Sequence, residues 1–186
     1  MAKLFVVSGL SGAGKDSVIE GLVKENLDFN WVVTTTTRPM RPGESEGHPY
    51  HFVPKERFEE MIKNDELIEW ARVYDFYYGP QKKDVQKLLQ VDEPVIFKID
   101  CQGAKTIKGK FPGAKAIFII PPSLEILEKR LRTRGTDSEE VIKRRLAEAK
   151  KELATLNQWD FVVVNEEGKL EETVDKIKEI ILKETQ

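Results

Sequence analysis

Short apolar runs alternate along the chain with longer segments in which apolar residues recur at helical spacing. The runs are rich in Val, Ile and Phe and lack strict alternation, which is typical of strands buried in a parallel sheet. Predicted strands are residues 4–7, 31–33, 95–99, 116–120 and 161–164. Predicted helices include residues 16–24, 123–134 and 170–183. Strands that alternate with helices predict an α/β fold, a three-layer sandwich with a parallel central sheet.

Two regions depart from this alternation. Residues 34–90 begin with TTTTRPMRPGESEGHPYHFV, continue with a short helical pattern, KERFEEMIK, and end with the strand-like LIEWARVY and the segment DFYYGP. Such a mixture predicts an inserted, small β-rich lobe. Residues 123–157 are mostly helical, and TDSE at 136–139 has the spacing of a capping box. We therefore expect one domain with a core of about 1–33, 91–122 and 158–186.

Charge and cysteine content narrow the functional classes. The chain of 186 residues has 30 Lys and Arg against 32 Asp and Glu, a net charge of −2. This balance argues against nucleic acid or a membrane surface as partner. The single Cys101 excludes an internal disulfide, and no signal-like or membrane-spanning run is present. We expect a cytoplasmic protein, either a monomer or a homodimer.

The segment GLSGAGKDS follows the first predicted strand and precedes a predicted helix. Gly9, Gly14 and Lys15 fit the phosphate-loop pattern GxxxxGK[ST], in which backbone amides and a lysine hold nucleotide phosphates. Asp16 departs from that pattern, because the usual residue is a hydroxyl ligand of Mg²⁺. The sequence predicts a phosphate-binding loop; a tight turn without a ligand is the alternative.

Candidate residues for a second phosphate site lie in the turn-rich segment. Arg38 and Arg41 offer planar donor pairs for phosphate oxygens, and Tyr50 offers a hydroxyl. A solvated charged loop is the alternative. Further along, in the strand-like LIEWARVY, the alternation of side chains between two faces would place Glu69 on the same face as Leu67 and Ala71. In a pocket its carboxylate would accept two N–H groups from a base such as guanine, and otherwise Glu69 is a surface residue.

Two further groups of charged residues are candidates. Arginines surround a Gly-centred break in the helical region, where they form either a solvated face or a mobile flap over a transferring phosphoryl group. These arginines are Arg130, Arg132, Arg134, Arg144 and Arg145. In VIFKID, Asp100 follows a strand at the sheet edge where ligands collect. Lys98, inside that apolar strand, needs a partner.

Together these segments resemble the guanylate kinase family along nearly the whole chain. The matching motifs are GxSGAGK, TTRPxRxGExxGxxYxFV, IEWAxVxxxxYG, IDxQGAK, RLRTRGTDSEEVIKRRL and FVVVN. The resemblance implies transfer of the γ-phosphoryl group of ATP to GMP, with Mg²⁺ accompanying ATP. It also implies a P-loop core, a GMP-binding lobe of about 34–90 and a helical lid of about 123–157.

The resemblance also implies residue roles. The implied catalytic residues are Lys15, Arg134 and Arg145. For ATP, the implied ligands are Gly9, Ser11, Gly12, Ala13, Gly14, Lys15, Asp16, Ser17 and Asn165, with Asn165 beside adenine. For GMP they are Thr34, Arg38, Arg41, Tyr50, Glu69, Tyr78 and Asp100, of which Thr34, Glu69 and Asp100 read the base.

Three positions differ from the family pattern: Asp16, Lys98 and Pro80. We hypothesise that Asp16 and Lys98 form a swapped acid–base pair beside Mg²⁺, with Asp16 as the metal ligand. Pro80 replaces a hydroxyl that helps read guanine, a role that Thr34 or the Gln81 amide could assume. These departures keep two alternatives open: a kinase similar to ribose 1,5-bisphosphate phosphokinase, and a non-catalytic guanylate-kinase-like module that binds peptides.

Overall fold

The computed structural model describes residues 2–25, 27–135 and 137–185. The chain divides into two compact units. The first comprises Met1–Val6 and Asp28–Ala114, and the second comprises Val7–Leu27 and Lys115–Gln186. Strand β1 (Leu4–Gly9) contributes to both and is buried throughout. In the described part of the chain, no helix has the length and apolar character needed to cross a membrane.

The first unit contains two strands of the central sheet and a smaller mixed sheet. The central strands β2 (Asn30–Val32) and β8 (Val95–Lys98) pair in parallel. The smaller sheet consists of β3 (Thr34–Thr36), β4 (Ser45–Glu46), β5 (Pro49–Phe52), β6 (Ala71–Val73) and β7 (Phe76–Pro80). Its order is β4-β5-β3-β7-β6, so the predicted β-rich segment does form a sheet.

Three helices complete the first unit: α2 (Lys55–Lys63), α3 (Lys82–Leu88) and α4 (Cys101–Lys110). Helix α2 buries Phe58 and Met61 against Leu67, and Tyr77 stacks on Phe58 with ring centroids 5.4 Å apart. This cluster gives the small sheet a core of its own.

The second unit contains the remaining central strands and four helices. Strands β9 (Lys115–Ile120) and β10 (Phe161–Val164) pair in parallel. The helices are α1 (Lys15–Lys24), α5 (Leu124–Arg134), α6 (Glu139–Leu153) and α7 (Leu170–Thr185), and a 3-10 turn spans Leu156–Gln158. A Cβ on Gly21 of α1 would lie 2.4 Å from Val174 of α7, so glycine allows these helices to approach closely.

The central sheet has the order β10-β9-β1-β8-β2. The predicted α/β fold, with a parallel central sheet and flanking helices, is confirmed. One local prediction was wrong, because LIEWARVY is not one strand and only Ala71–Val73 pair in β6. Helix α3 has no counterpart among the predicted helices. The division into core, lobe and lid stays a prediction.

The start of α6 differs from the capping prediction. Thr136 lies outside the described residues, and the N-cap of α6 is Ser138, whose hydroxyl accepts a hydrogen bond of 3.4 Å from the Val141 amide. Helix α5 is capped in the same way by Ser123, which accepts from the Ile126 amide. A serine hydroxyl satisfies one of the amides that a helix start leaves unpaired.

Candidate active site

The loop between β1 and α1 depends on glycine at two positions. A Cβ on Gly9 would lie 2.2 Å from the Ile119 carbonyl oxygen, so only glycine lets the loop pass the neighbouring strand. Gly14 has φ of 97°, and a Cβ there would lie 2.5 Å from Asn165 Nδ2. Both glycines are therefore required by the strand–loop–helix geometry predicted for a phosphate loop.

Lys15 is held over the start of this loop. Its Nζ donates to the Gly9 carbonyl at 2.6 Å and to the Leu10 carbonyl at 3.2 Å. Asp16 follows in the first turn of α1, where the helix dipole favours a negative side chain. The loop thus presents an ammonium and a carboxylate side by side at a helix N-terminus.

Asn165 braces the loop from β10. Its Nδ2 donates to the Ala13 carbonyl at 2.7 Å, and its Oδ1 accepts from the Thr173 hydroxyl at 3.2 Å. Arg130 donates to the Asn165 carbonyl at 2.9 Å. Asn165 was predicted beside adenine, whereas its side-chain amide here fixes the phosphate loop, a role that the sequence did not indicate.

The two predicted lid arginines have different surroundings. Arg134 is exposed at the last position of α5. Arg145, on α6, forms an ion pair of 3.2 Å with Asp137, and both side chains are nearly nine-tenths buried. Asp137 therefore holds the Arg145 guanidinium in place, and sequence analysis did not single it out.

In the first unit, Arg38 is buried rather than solvated. Its Nη2 donates to Glu44 Oε1 at 2.7 Å, and the Arg41 backbone amide donates to Glu44 Oε2, also at 2.7 Å. The alternative of a solvated loop is wrong for Arg38. Glu44 links the two predicted phosphate-binding arginines, and sequence analysis missed it because a glutamate in a Gly/Pro-rich loop is usually exposed.

This ion pair is electrostatically strong in spite of its burial. Burial is the largest single effect on Arg38 and lowers its pKa, but the hydrogen bond with Glu44, the Glu44 charge and the smaller effects of Tyr78 and Tyr50 together outweigh it and raise the pKa. Likewise, burial is the largest single effect on Glu44 and raises its pKa, but the hydrogen bonds from Arg38 and the Arg41 amide, together with the charges of both arginines, outweigh it and lower the pKa. The pair stays charged at neutral pH.

Aromatic rings lie beside these arginines. Tyr50 and Tyr78 make an edge contact with centroids 5.9 Å apart, and the Arg38 guanidinium carbon lies 5.4 Å from the Tyr50 centroid. Lys98 Nζ lies 4.6 Å from the same centroid. The ring of Tyr50 is therefore one partner of the lysine in β8, for which the sequence required an interaction.

Glu69 is buried, with 7% of its surface exposed, and the surface alternative is wrong. Leu67 and Ala71 are buried with it, as alternation predicted. Burial, and then the nearby Asp100 charge, raise the pKa of Glu69 to about 8, against a weaker opposing effect of Lys110. The free protein therefore holds a neutral carboxyl here at pH 7.

Within the described residues of the first unit, two buried side-chain oxygens have no hydrogen-bond partner: Glu69 Oε2 and Thr34 Oγ1. Gly103 makes room for the carboxyl, because a Cβ there would lie 2.7 Å from Glu69 Oε1. Thr34 pairs with Tyr50 across β3 and β5, which places it next to the arginine site. Buried polar atoms without partners are expensive, and a bound polar ligand would satisfy them.

Asp100, Pro80 and Gln81, which the sequence analysis also named, each form hydrogen bonds or strand pairs in the first unit. Asp100 caps α4 by accepting from the Gly103 amide at 2.8 Å. Pro80 pairs with Thr34 across β7 and β3, and its carbonyl accepts from the Ile68 amide. The Gln81 side chain donates to Thr35 Oγ1 at 2.9 Å.

Known proteins resemble this chain over almost its full length. The guanylate kinase family model matches residues 1–184. The guanylate kinase of Gloeobacter violaceus is 45% identical over 184 residues, covering 99% of this chain and 89% of that protein. The guanylate kinase of Rickettsia felis is 44% identical over 181 residues, covering 97% of this chain and 93% of that protein.

Solved structures agree with these relationships. The crystal structure of guanylate kinase from Anaplasma phagocytophilum superimposes with a TM-score of 0.81 at 31% identity, covering all of this chain and 87% of that chain. A shikimate kinase from Bacteroides thetaiotaomicron shares the fold, with a TM-score of 0.51 at 12% identity over 97% of this chain and 98% of that chain. The resemblance predicted from the motifs is confirmed: the chain belongs to the guanylate kinase family.

Proposed function

We propose that the chain transfers the γ-phosphoryl group of ATP to GMP, giving ADP and GDP. The observation that carries this proposal is the buried, unpartnered carboxyl oxygen of Glu69 in the same unit as the Arg38–Glu44 pair. The Glu69 carboxyl suits a base edge with N–H donors, and the Arg38 guanidinium suits a phosphate. GMP carries both groups.

The guanine base of the acceptor is recognised by Glu69, Thr34 and Asp100. The guanine N1–H and N2–H groups donate to Glu69, which binds them as a carboxylate. Thr34 and Asp100 complete the base-reading set, with Thr34 Oγ1 as a further buried acceptor. Adenine has neither N1–H nor a 2-amino group, so it cannot give the Glu69 carboxylate the paired N–H donors that guanine gives, which is a basis for discrimination.

The acceptor phosphate binds to Arg38, Arg41, Tyr50 and Tyr78. Glu44 keeps Arg38 and the Arg41 backbone in place before the ligand arrives, which reduces the ordering that binding requires. The attacking oxygen of GMP is already ionised near neutral pH, so no general base is needed.

The donor binds to the loop in the second unit. The segment 9–17 supplies amides at the N-terminus of α1, and Lys15 neutralises phosphate charge. Arg134 and Arg145 stabilise charge on the transferring group, and Asp137 positions Arg145. Asn165 acts through its hydrogen bond to Ala13, which fixes the loop.

Asp16 is the residue that would hold Mg²⁺ with ATP. Mg²⁺ is commonly bound by one or two carboxylates together with substrate phosphates, and Asp16 offers a carboxylate next to Lys15 at the helix start. When bound, Mg²⁺ neutralises phosphate charge. The sequence hypothesis of an Asp16–Lys98 pair is tested by activity of Asp16→Ser, Lys98→Asp and the double variant, where additive effects would contradict coupling.

Both alternatives explain fewer observations. A ribose 1,5-bisphosphate acceptor has no base, so it gives no reason for the buried Glu69 and Thr34 acceptors. A peptide-binding module gives no reason for Lys15 and the lid arginines. The cytoplasm remains the predicted compartment, and a monomer or homodimer the predicted assembly.

A coupled assay of ADP release with ATP and Mg²⁺ tests the proposal. The acceptors compared are GMP, AMP and ribose 1,5-bisphosphate, and we expect rapid turnover with GMP alone. Turnover with ribose 1,5-bisphosphate but not GMP would favour the second kinase. A folded sample that turns over none of them would favour the binding module.

A further inference from the structure

Lys98 occupies an unusual place for a lysine. It is the last residue of β8, after three consecutive buried residues, Val95, Ile96 and Phe97, and is itself half-buried. A charged side chain in such a strand needs an interaction that compensates for lost hydration. The Tyr50 ring supplies one, since Lys98 Nζ lies 4.6 Å from its centroid.

The Tyr50 ring also contacts Arg38 and Tyr78. The Arg38 guanidinium carbon lies 5.4 Å from the Tyr50 centroid, and Tyr78 makes an edge contact with it. Arg38 is fixed in turn by Glu44 at 2.7 Å. Tyr50 therefore has two cations against its ring, and its hydroxyl belongs to the proposed phosphate site.

We infer that Lys98 is a positioning residue for the acceptor phosphate and acts through Tyr50. A cation on the ring fixes the orientation of the phenol and draws electron density away from its O–H group, which makes the hydroxyl a better donor to a phosphate oxygen. The inference rests on the proposed function, because it assumes that GMP is the ligand of Tyr50.

The direct test is calorimetric binding of GMP to Lys98→Met, which keeps an unbranched side chain of similar length and removes the charge. We expect GMP to bind about 3- to 30-fold more weakly, the range that a partly desolvated cation–ring contact implies. Lys98→Arg keeps a cation and should restore most of the affinity. The control is Lys87→Met on the exposed face of α3, which should bind GMP normally.

Tyr50→Phe separates this role from other effects of the charge. Phenylalanine keeps the ring but lacks the hydroxyl, so Lys98→Met should weaken GMP binding much less in the Tyr50→Phe background than in the wild type. In kinetics, Lys98→Met should raise KM for GMP and leave KM for ATP and the Mg²⁺ dependence unchanged. The KM for ATP and the Mg²⁺ dependence would change if Lys98 acted through Asp16 instead.

The outcomes distinguish this inference from the proposed function. Equal losses of GMP affinity in the two Tyr50 backgrounds would overturn the inference and leave the proposed function standing. Normal GMP binding by Lys98→Met would also overturn the inference and leave the proposed function standing. A folded wild-type protein that binds no GMP would overturn both.

Discussion

Glu44 joins two arginine-bearing positions of the acceptor site, because its two carboxylate oxygens accept from the Arg38 guanidinium and the Arg41 amide, each at 2.7 Å. Arg38 is thereby fixed in a buried position by a group of the protein itself. A site preorganised in this way spends little of its binding energy on ordering side chains.

Glu44→Gln should weaken GMP binding about tenfold. The amide keeps one acceptor but loses the charge, and a hydrogen bond to a charged group is worth about 1.5–3 kcal/mol. Calorimetry with GMP measures the effect, and Glu59→Gln on α2 is the control, since its ion pair with Lys55 is exposed. Normal GMP affinity in Glu44→Gln would show that Arg38 needs no such support.

GMP binding should release protons at neutral pH. Burial, and then Asp100, raise the pKa of Glu69 to about 8 in the free protein, whereas guanine N–H groups require the carboxylate. Affinity for GMP should therefore increase as pH rises from 7 to about 8 and level off above that. Calorimetry in buffers of different ionisation enthalpy measures the released proton, and Glu69→Gln should abolish the release.

The same carboxyl should make stability depend on pH. Because the folded pKa of Glu69 lies above its unfolded value, its contribution is fully present below about pH 4.5 and is lost as pH rises through about 8. The Tm of Glu69→Gln should therefore exceed that of the wild type at pH 8.5 and equal it near pH 4.5. A gain in Tm that is equal at both pH values would contradict this account.

Gly14→Ala should disturb the phosphate loop. The new Cβ would lie 2.5 Å from Asn165 Nδ2, at a φ of 97° that disfavours side chains, so we expect a loss of stability of about 1–2 kcal/mol and weaker ATP binding. Gly109→Ala is the matched control, because nothing lies within 4 Å of its Cβ and alanine favours the helix α4. Chemical denaturation compares the two variants.

The parts of the fold and site that follow local rules could be predicted from the sequence. The apolar run at Leu4, the glycines and Lys15 mark the strand, loop and helix, and alternation correctly placed Glu69 with Leu67 and Ala71. Such patterns reflect the periods of strands and helices, which are local properties.

The missed features depend on contacts between distant segments. The Asn165 brace joins residues 152 positions apart, and the burial of Arg38 depends on its ion pair with Glu44 in a loop without periodicity. Helix α3 was missed because its seven residues, KKDVQKL, bury only Val85 and so show little amphipathic pattern. Tertiary structure decides each of these cases.

The central claim is that Glu69 reads the guanine of the acceptor, and kcat/KM for GMP in Glu69→Gln against the wild type tests it most directly. The account predicts a fall of about a hundredfold or more, because a buried site built around a hydrogen-bonded base edge loses its partner, while KM for ATP stays unchanged. A Glu69→Gln enzyme that phosphorylates GMP as well as the wild type does would contradict it.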